Sequence, residues 1–156
     1  MLEKKKQIIS QMFDEIAGIY DLGNHLLSLG QDFFWRKRLA KELALDGLEA
    51  ILDLASGTGD MGLTIAKKNP DAKIFAIDLA MKMLALGAKK IEQKGLRDRI
   101  FFAGADIEKM PFPDQSFDAA TIAFGIRNLE NRQKGLAEIF RVLKPGGILA
   151  VLEFSL

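Results

Sequence analysis

Apolar residues recur with two different spacings along this chain, and the change lies near Ala50. Before it, apolar positions follow the three-to-four-residue spacing of amphipathic helices, which predicts one helix from Ile8 to Ile19 and another from Phe34 to Leu45. After it, short apolar runs bounded by Gly, Pro or Asp alternate with helical patterns. The strands predicted from these runs are Ala50 to Ala55, Lys73 to Ile77, Ile100 to Ala103, Phe117 to Phe124 and Ile148 to Phe154.

Three further helices are predicted between these strands. They span Asp60 to Lys68, Ala80 to Lys94 and Arg132 to Leu143, and each is followed by a stop signal that contains Pro or Gly. Strands that alternate with helices in this way predict an α/β fold with a parallel sheet and helices on both faces. In such sheets a ligand binds beyond the carboxyl ends of the strands, where the winding direction reverses.

The composition fits one domain over residues 1–156. The chain is 49% hydrophobic, which supplies one substantial core and little more. With 22 basic and 21 acidic residues the net charge is +1, so no broad field favours nucleic acid. The chain has no cysteine and one histidine, His25, and we therefore expect neither a disulfide nor a metal site. We see no signal-like or membrane-spanning apolar run and expect a cytoplasmic protein.

A glycine-rich loop follows the first predicted strand. The segment from Gly57 to Gly62 reads Gly-Thr-Gly-Asp-Met-Gly and matches the G-x-G-x-x-G pattern of dinucleotide-binding loops. A dinucleotide brings a pyrophosphate against the start of the next helix, where the carboxylates of Asp53 and Asp60 would repel it. S-adenosylmethionine carries a sulfonium and an ammonium group and no phosphate. The charges therefore favour S-adenosylmethionine over NAD as the ligand.

Two more carboxylates follow the next two strands. Asp78 lies about 20 residues after the loop, where an acidic residue can bind both ribose hydroxyls of NAD or of S-adenosylmethionine. Asp106 follows the third strand, where it can accept the adenine amino group while Ile107 packs on the ring. Each carboxylate alone could be a helix cap or part of the solvated surface. Together at successive strand ends, the four carboxylates predict an adenosine pocket.

Three segments go beyond a general cofactor loop. The first is Met12-Phe13-Asp14-Glu15-Ile16-Ala17-Gly18-Ile19-Tyr20-Asp21, which continues through Asn24, Leu27, Ser28 and Gly30 to Trp35-Arg36. The others are Ala123-Phe124-Gly125-Ile126-Arg127-Asn128, and Arg141-Val142-Leu143-Lys144-Pro145-Gly146-Gly147 with the apolar run that follows. Together they resemble the ubiquinone/menaquinone biosynthesis C-methyltransferase family. The resemblance implies a Rossmann-like class I methyltransferase core with a parallel sheet of about five strands in the order 3-2-1-4-5. It also implies an N-terminal helical lid or substrate segment over residues 1–49, followed by a core over residues 50–156.

The same resemblance implies a reaction and a set of cofactor contacts. The reaction is transfer of the methyl group of S-adenosylmethionine to a ring carbon of a polyprenylated quinol, either demethylmenaquinol or its equivalent in the ubiquinone pathway. The residues expected to bind or support the cofactor are Asp53, Gly57, Thr58, Gly59, Asp78, Leu79, Asp106 and Ile107.

The resemblance also names residues on the acceptor side. Arg127 and Asn128 are the candidate catalytic residues, because they follow the fourth strand and can reach the acceptor oxygen. Arginine stays protonated in proteins, so we expect Arg127 to stabilise a quinolate or to order a water that takes the proton. A structural ion pair is the alternative for Arg127. Tyr20, Asp21 and Trp35 either shape the quinol entrance or pack and cap a helical lid.

Two other functions stay open. The family continues beyond the last residue of this chain, and that portion would supply further strands and part of the acceptor pocket. The chain could therefore bind the cofactor without turnover. A nicotinamide-dependent oxidoreductase that uses the loop from Gly57 to Gly62 is the alternative from another enzyme class. The last predicted strand would present an unpaired apolar edge, which predicts a homodimer or a larger assembly.

The segment from Phe33 to Arg38 has aromatic residues beside a basic cluster. Such segments are typical of transient contact with an anionic membrane surface, and a bilayer is where a long isoprenoid substrate dissolves. A helix with a buried aromatic face and a solvated basic face explains the same pattern. We expect this second arrangement.

Overall fold

The computed structural model describes residues 8, 10–16, 31–43 and 47–154. Residues 10–16 are helical, in agreement with the N-terminal periodicity. The elements that follow are α1 (Gln31–Glu42), β1 (Ala50–Leu54), α2 (Asp60–Lys68), β2 (Lys73–Asp78), α3 (Met81–Gln93), β3 (Ile100–Gly104), β4 (Phe117–Ala123), α4 (Arg132–Val142) and β5 (Leu143–Leu152). A short 3₁₀-helix, Ile126–Asn128, lies between β4 and α4.

The five strands form one parallel sheet in the order β3-β2-β1-β4-β5. β1 is central, with Asp53 opposite Ala76 of β2 on one side and opposite Thr121 of β4 on the other. The chain winds outwards from β1 through β2 and β3, and in the other direction through β4 and β5. The winding direction therefore reverses between β1 and β4. The α/β class and the strand order expected from the sequence are confirmed.

Two apolar clusters cover the two faces of this sheet. Alternate residues of a strand point to opposite faces, and the side chains of β1 follow this rule. Ile51 belongs to the cluster that contains Leu39 of α1 and Ile65 of α2. Leu52 belongs to the cluster that contains Ile139 of α4. β1 is consequently buried on both faces, and the loop that follows it is held at the centre of the molecule.

The start of β5 differs from the prediction. β5 begins at Leu143 and not at Ile148. Phe117 pairs with Leu143, and Ala119 pairs with Ile148, so residues 144–147 form a bulge within the strand. A proline and two glycines predicted a turn there because they interrupt a regular ladder. Their pattern does not reveal that strand pairing exists on both sides of the interruption.

α1 differs from the prediction in position and in the face it buries. It spans Gln31–Glu42, three residues earlier than expected. The predicted buried aromatic face is wrong, because Phe33 is 46% and Phe34 65% exposed. Trp35 is half-buried and Leu39, one turn later, is buried. The apolar stripe therefore runs through Trp35 and Leu39, and the neighbouring phenylalanines lie on the solvent side.

Candidate functional site

A pocket opens at the carboxyl ends of β1, β2, β3 and β4, where the winding direction reverses. We call it the strand-end pocket. Its wall is mainly apolar and also contains four carboxylate side chains. The residues that line it are Ser10, Phe13, Ala55, Gly57, Asp78, Leu79, Met83, Ala105, Asp106, Ile107, Glu108, Ala123, Phe124, Gly125, Asn128, Leu129 and Glu130. The pocket lies where a parallel sheet of this kind binds its ligand.

The loop between β1 and α2 turns sharply beside this pocket. Ala55, Gly57 and Gly59 have positive φ values of 51°, 54° and 81°. A Cβ atom on Gly59 would lie 2.6 Å from Cζ of Phe102, and one on Gly57 would lie 3.0 Å from Cε of Met83. A larger residue at Gly59 would therefore clash with Phe102, one at Gly57 would require the flexible end of Met83 to shift, and both would strain the backbone. Because glycine has no side chain, the loop backbone can come close to a ligand in the pocket.

Asp78 holds this loop from the end of β2. Its Oδ2 accepts a hydrogen bond from the Gly57 amide at 2.9 Å, and its Oδ1 accepts one from the Ala80 amide at 2.9 Å. Burial raises the pKa of Asp78 above its usual range, while these amides favour the charged form. Each carboxylate oxygen has a further lone pair. Asp78 can therefore accept hydrogen bonds from a ligand without releasing the loop.

The turn after β3 presents Asp106 and Ile107 to the same pocket. Oδ1 of Asp106 accepts a hydrogen bond from the Glu108 amide at 2.9 Å, which stabilises the turn. Ile107 is buried with 7% exposure. Oε1 of Glu108 accepts hydrogen bonds from the amides of Glu130 and Asn131, both at 3.0 Å. These bonds join the turn after β3 to the loop that precedes α4.

The ends of β1 and β4 meet in a close backbone contact at the pocket. Ala55 and Phe124 both have left-handed backbone conformations, with φ values of 51° and 59°. Such conformations cost about 1–2 kcal/mol for a non-glycine residue and persist where the surroundings impose them. A Cβ atom on Gly125 would lie 2.5 Å from Cβ of Ala55. The fold therefore enforces an unusual backbone path at this site.

Asp53 lies beneath the glycine loop and is not among the residues that line the pocket. It is 1% exposed, and its Oδ1 accepts a hydrogen bond from Oγ1 of Thr121 at 2.8 Å. Burial raises the pKa of Asp53 to about 7, although Thr121, Arg36 and the Gly62 amide favour its charged form. Asp53 therefore lies between β1, β4 and α2 and contributes to the contacts that hold these elements together.

Thr58 and Asp60 lie on the other side of the loop, beside α3. Nζ of Lys90 donates to Oγ1 of Thr58 at 2.9 Å and to Oδ1 of Asp60 at 2.7 Å. Asp60 lines a separate groove between α1, α2 and α3. The structure thus brings Asp78 and Asp106 together, whereas Asp53 and Asp60 are elsewhere. The acidic pocket that four carboxylates predicted contains two of them.

Leu79 lines the pocket, whereas Gly59 does not. Leu79 follows Asp78, lines the pocket and is 41% exposed. Gly59 is the residue before α2, and its positive φ allows the chain to enter that helix. Gly59 shapes the loop without being part of the described lining.

The two candidate catalytic residues have different surroundings. Asn128 lines the pocket. The Arg127 side chain is 49% exposed and forms an ion pair with Glu153, and its Cζ lies 5.8 Å from the centre of the Phe154 ring. This arrangement matches the structural alternative for Arg127. The sequence could not reveal it, because Glu153 lies at the end of a different strand.

Trp35 belongs to an aromatic cluster beside the pocket. Its ring centre lies 6.2 Å from that of Phe124 and 5.6 Å from that of Phe154. Phe124 also lines the pocket, so Trp35 contacts a wall of the site and not its interior. Tyr20 and Asp21, the other two candidates for the quinol entrance, lie outside the described residues.

Part of the N-terminal segment lines the pocket through residues that the sequence analysis did not single out. Ser10 and Phe13 line it. Oγ of Ser10 donates to the Leu79 carbonyl at 2.9 Å, and Oδ1 of Asp14 accepts from the Lys82 amide at 2.7 Å. Helical periodicity predicted a helix here, but periodicity does not say which element the helix contacts. A role for residues 1–49 as a lid stays a prediction.

Comparison with known proteins agrees with this geometry. The model of the ubiE/COQ5 methyltransferase family matches residues 1–156. The chain is 48% identical over 155 residues to the ubiquinone/menaquinone biosynthesis C-methyltransferase UbiE of Geobacter sp. (strain M21), which covers 99% of this chain and 66% of that protein. It is 51% identical over 144 residues to the demethylmenaquinone methyltransferase of Thermus thermophilus. The aligned region covers 92% of this chain and 64% of that protein.

Solved structures agree as well. A SAM-dependent methyltransferase from Aquifex aeolicus superimposes with a TM-score of 0.68 at 27% identity, covering 77% of this chain and 64% of that one. The Rossmann-like class I methyltransferase core expected from the sequence is confirmed. The chain spans about two thirds of the length of the curated relatives that it matches. From the family match over residues 1–156 and the identity to both relatives, this chain belongs to the ubiE/COQ5 methyltransferase family.

Proposed function

We propose that this chain is the cofactor-binding core of a methyltransferase that transfers a methyl group from S-adenosylmethionine to a ring carbon of a polyprenylated quinol. The observation that carries the proposal is the strand-end pocket, in which Asp78 and Asp106 lie beside the glycine loop. Carboxylates within apolar walls suit a cationic nucleoside better than a diphosphate. The names of the relatives refer to ubiquinone, menaquinone and demethylmenaquinone, and the acceptor that we propose is the quinol form of such a compound.

The lining of the pocket fits S-adenosylmethionine. Asp78 has lone pairs for the ribose hydroxyls, and Asp106 is placed one strand further along for the adenine amino group. Ile107 offers an apolar surface for the ring. Gly57 brings the backbone close without a side chain, which leaves space for the methionine part. The bound cofactor supplies a methyl group on a positively charged sulfur, which a nucleophile can displace.

On the acceptor side, the chain must hold the quinol ring and favour its ionised form. Methylation of carbon requires an electron-rich ring, and ionisation of a neighbouring hydroxyl supplies the electrons. The Asn128 amide can donate a hydrogen bond to that oxygen from the pocket wall, and Phe124 offers apolar surface next to it. Arg127 is paired with Glu153, so its proposed role requires it to exchange Glu153 for the quinolate oxygen.

Product analysis tests this function directly. The chain is incubated with methyl-labelled S-adenosylmethionine and a panel of demethylated menaquinols and ubiquinone precursors, and the products are identified by mass. Label on a ring carbon of one quinol is the expected result. Cofactor binding in calorimetry without any methylated product would favour a core that binds without turnover. Binding of NAD with no response to S-adenosylmethionine would favour a nicotinamide-dependent oxidoreductase.

We also propose that the chain contacts an anionic membrane surface through the groove between α1, α2 and α3, here called the basic groove. Two carboxylates and eight cationic side chains line it, although the net charge of the whole chain is only +1. The cations are Arg36, Lys37, Arg38, Lys41, Lys67, Lys68, Lys90 and Lys94. The exposed rings of Phe33 and Phe34 also line this groove. Cations beside exposed aromatic rings suit the headgroup region of a bilayer.

This surface lies close to the strand-end pocket, because α1 contacts the pocket wall through Trp35. A quinol with an isoprenoid tail dissolves in the bilayer, so a docked surface shortens its path to the pocket. Within the described ranges, no helix combines the length and the apolar character that crossing a membrane requires.

Sedimentation with vesicles tests the membrane contact. The double variant Lys37→Gln/Lys41→Gln is expected to bind phosphatidylglycerol vesicles roughly thirtyfold more weakly, at about 1 kcal/mol per charge. The double variant Phe33→Ser/Phe34→Ser is expected to weaken binding at high salt as well. The matched control is Lys73→Gln/Lys89→Gln, which removes two exposed charges outside the groove. Equal losses in both lysine pairs, or binding of single-stranded RNA instead of vesicles, would contradict the proposal.

We propose in addition that two copies of the chain associate through the free edge of β5. β5 pairs with β4 on one side, and no described strand pairs with its other side. Val151 and Phe154 are 46% and 57% exposed at its carboxyl end. An exposed apolar edge of this kind favours pairing with another chain. Light scattering is expected to show a dimer that Val151→Lys weakens, and a monomeric wild type at high concentration would rule it out.

A further inference from the structure

We infer that Asp14 is a positioning residue, which caps α3 from the N-terminal helical segment and thereby sets how tightly the strand-end pocket holds its cofactor. The inference rests on the proposed cofactor. The helical residues 10–16 and the start of α3 are far apart in the chain, yet both line the pocket, the first through Phe13 and the second through Met83. The contacts between these two segments therefore decide whether this wall of the pocket is complete.

α3 has no capping side chain of its own. Ala80 precedes it and makes no side-chain cap, and the first turn of the helix contains no acidic residue. The first amides of a helix need acceptors, and a carboxylate among them also interacts favourably with the helix dipole. Oδ1 of Asp14 accepts a hydrogen bond at 2.7 Å from the amide of Lys82, the second residue of α3. Asp14 therefore does the work of an N-cap residue from 68 positions away.

Two further contacts join the same segments. Oγ of Ser10 donates to the Leu79 carbonyl at 2.9 Å, just before α3 begins. Phe13 packs against Ala80 and Met83, both of which are buried. The helical segment can leave the pocket wall only when the cap, this hydrogen bond and the apolar contact break together. Loss of the cap therefore makes that departure easier.

Asp78 holds the same stretch of chain from the other side. Its Oδ1 accepts a hydrogen bond from the Ala80 amide and its Oδ2 accepts one from the Gly57 amide, both at 2.9 Å. Asp78 is also the residue proposed to bind the ribose hydroxyls of the cofactor. The stretch from Asp78 to Lys82 is thus shared by the cofactor site and the Asp14 cap. Two interactions that stabilise one arrangement favour each other, so loss of the cap should weaken cofactor binding without any contact between Asp14 and the cofactor.

Calorimetry with S-adenosylhomocysteine tests the inference. Asp14→Ala removes the acceptor and is expected to weaken binding roughly tenfold, which corresponds to the loss of one helix cap. Asp14→Asn keeps a side-chain acceptor that suits an N-cap and is expected to stay within about threefold of the wild type. The matched control is Asp98→Ala, which removes an exposed carboxylate between α3 and β3 and should leave the affinity unchanged.

Hydrogen exchange separates positioning from general stability. S-adenosylhomocysteine is expected to slow amide exchange across residues 10–16 at least roughly fivefold in the wild type and in Asp14→Asn, and much less in Asp14→Ala. A weaker Asp14→Ala without any ligand-dependent protection in the wild type would show a merely structural role and overturn the inference. Equal affinity of Asp14→Ala and wild type, or equal losses in the Ala and Asn variants, would also overturn it, while the cofactor proposal would stand. A wild-type chain that does not bind S-adenosylhomocysteine would overturn both.

Discussion

The strand-end pocket and the basic groove lie on two sides of one loop, yet their charges are opposite. Four carboxylates and no cation occur in the described lining of the pocket, whereas eight cations and two carboxylates line the groove. Gly57 belongs to the pocket and Asp60 to the groove, although they are three residues apart. Neighbours in a sequence motif therefore do not have to serve the same ligand.

The difference arises from the elements on which the residues lie. Asp78 and Asp106 follow parallel strands, whose carboxyl ends meet at one edge of the sheet. Asp60 lies in the first turn of α2, which directs it towards Lys90 of α3. Asp53 is one residue from the end of β1 and points into the face that α2 covers, where Gly62 contacts it. Position on a strand end brings carboxylates together, whereas position on a helix start separates them.

The largest expected effect concerns Asp53, which lies beneath the loop that divides the two sites. Burial raises its pKa from 3.8 to about 7 in the folded state, so the folded protein binds this proton more tightly than the unfolded chain does. The free energy of unfolding should therefore fall as the pH rises from about 4 to about 7, by about 1.4 kcal/mol per pH unit from this group, and then level off. Asp53→Asn should lack this contribution.

Urea denaturation of the wild type and of Asp53→Asn across this pH range measures the effect as the difference between two curves. The subtraction removes the titration of the other carboxylates, which both proteins share. Parallel curves would show that Asp53 keeps an ordinary pKa when folded.

The next effect compares one carboxylate from each side of the loop. Asp78→Ala removes the acceptor that faces the pocket and releases the Gly57 amide, so the affinity for S-adenosylmethionine should fall roughly hundredfold. Asp60→Ala changes the same charge on the groove side and should change that affinity by less than about threefold. Calorimetry measures both. Similar losses in the two variants would mean that the loop carboxylates do act as one acidic cleft.

A smaller effect is expected for the groove side itself. Lys90→Met removes the cation that binds Thr58 and Asp60. Thr58 is 4% exposed, and the side chain of Asp60 is 17% exposed. Because Lys90 remains partly solvated, the loss of stability should be about 1 kcal/mol and should shrink at high salt. Thermal unfolding at low and high ionic strength checks this. Cofactor affinity should change little, and a large loss would show that the groove side supports the pocket.

The smallest effect concerns the boundary of the pocket next to Asn128. Arg127→Met breaks an ion pair with Glu153 in which the arginine is half-exposed, so the free energy of unfolding should fall by less than about 1 kcal/mol. Affinity for S-adenosylmethionine should not change. Denaturation and calorimetry test the two statements. A strong loss of cofactor binding would show that the cofactor site includes Arg127 and would contradict this prediction.

Much of the site follows from the sequence because it depends on local patterns. Apolar runs located the strands, and the residue after each run locates a strand end. Asp78, Asp106 and Ile107 line one pocket for this reason, and Gly57 does so because a glycine loop follows a buried strand. The fold class rests on the same patterns, whereas the strand order is what the family resemblance implied. The fold class, the strand order and the family are all confirmed.

Contacts between distant elements could not be read in this way. Arg127 pairs with Glu153, which belongs to the end of a neighbouring strand, and Ser10 meets Leu79 across 69 positions. Phenylalanine is usually buried, so the sequence suggested that Phe33 and Phe34 belong to the core. Their exposure depends on which side of α1 faces the core. Helical spacing predicts an apolar stripe along a helix. It does not show which side of the helix is buried when the basic side chains also have long apolar stems.

By itself, the sequence determined the alternation of strands and helices, the glycine loop and the kind of chemistry at the strand ends, because backbone sterics and hydrophobic spacing act over a few residues. Tertiary structure alone decided which carboxylates share the pocket, which one is buried without exposure to a ligand, and which cations gather in one groove. The physical reason is that charge, burial and hydrogen-bond satisfaction depend on neighbours in space, and those neighbours come from elements far apart in the chain.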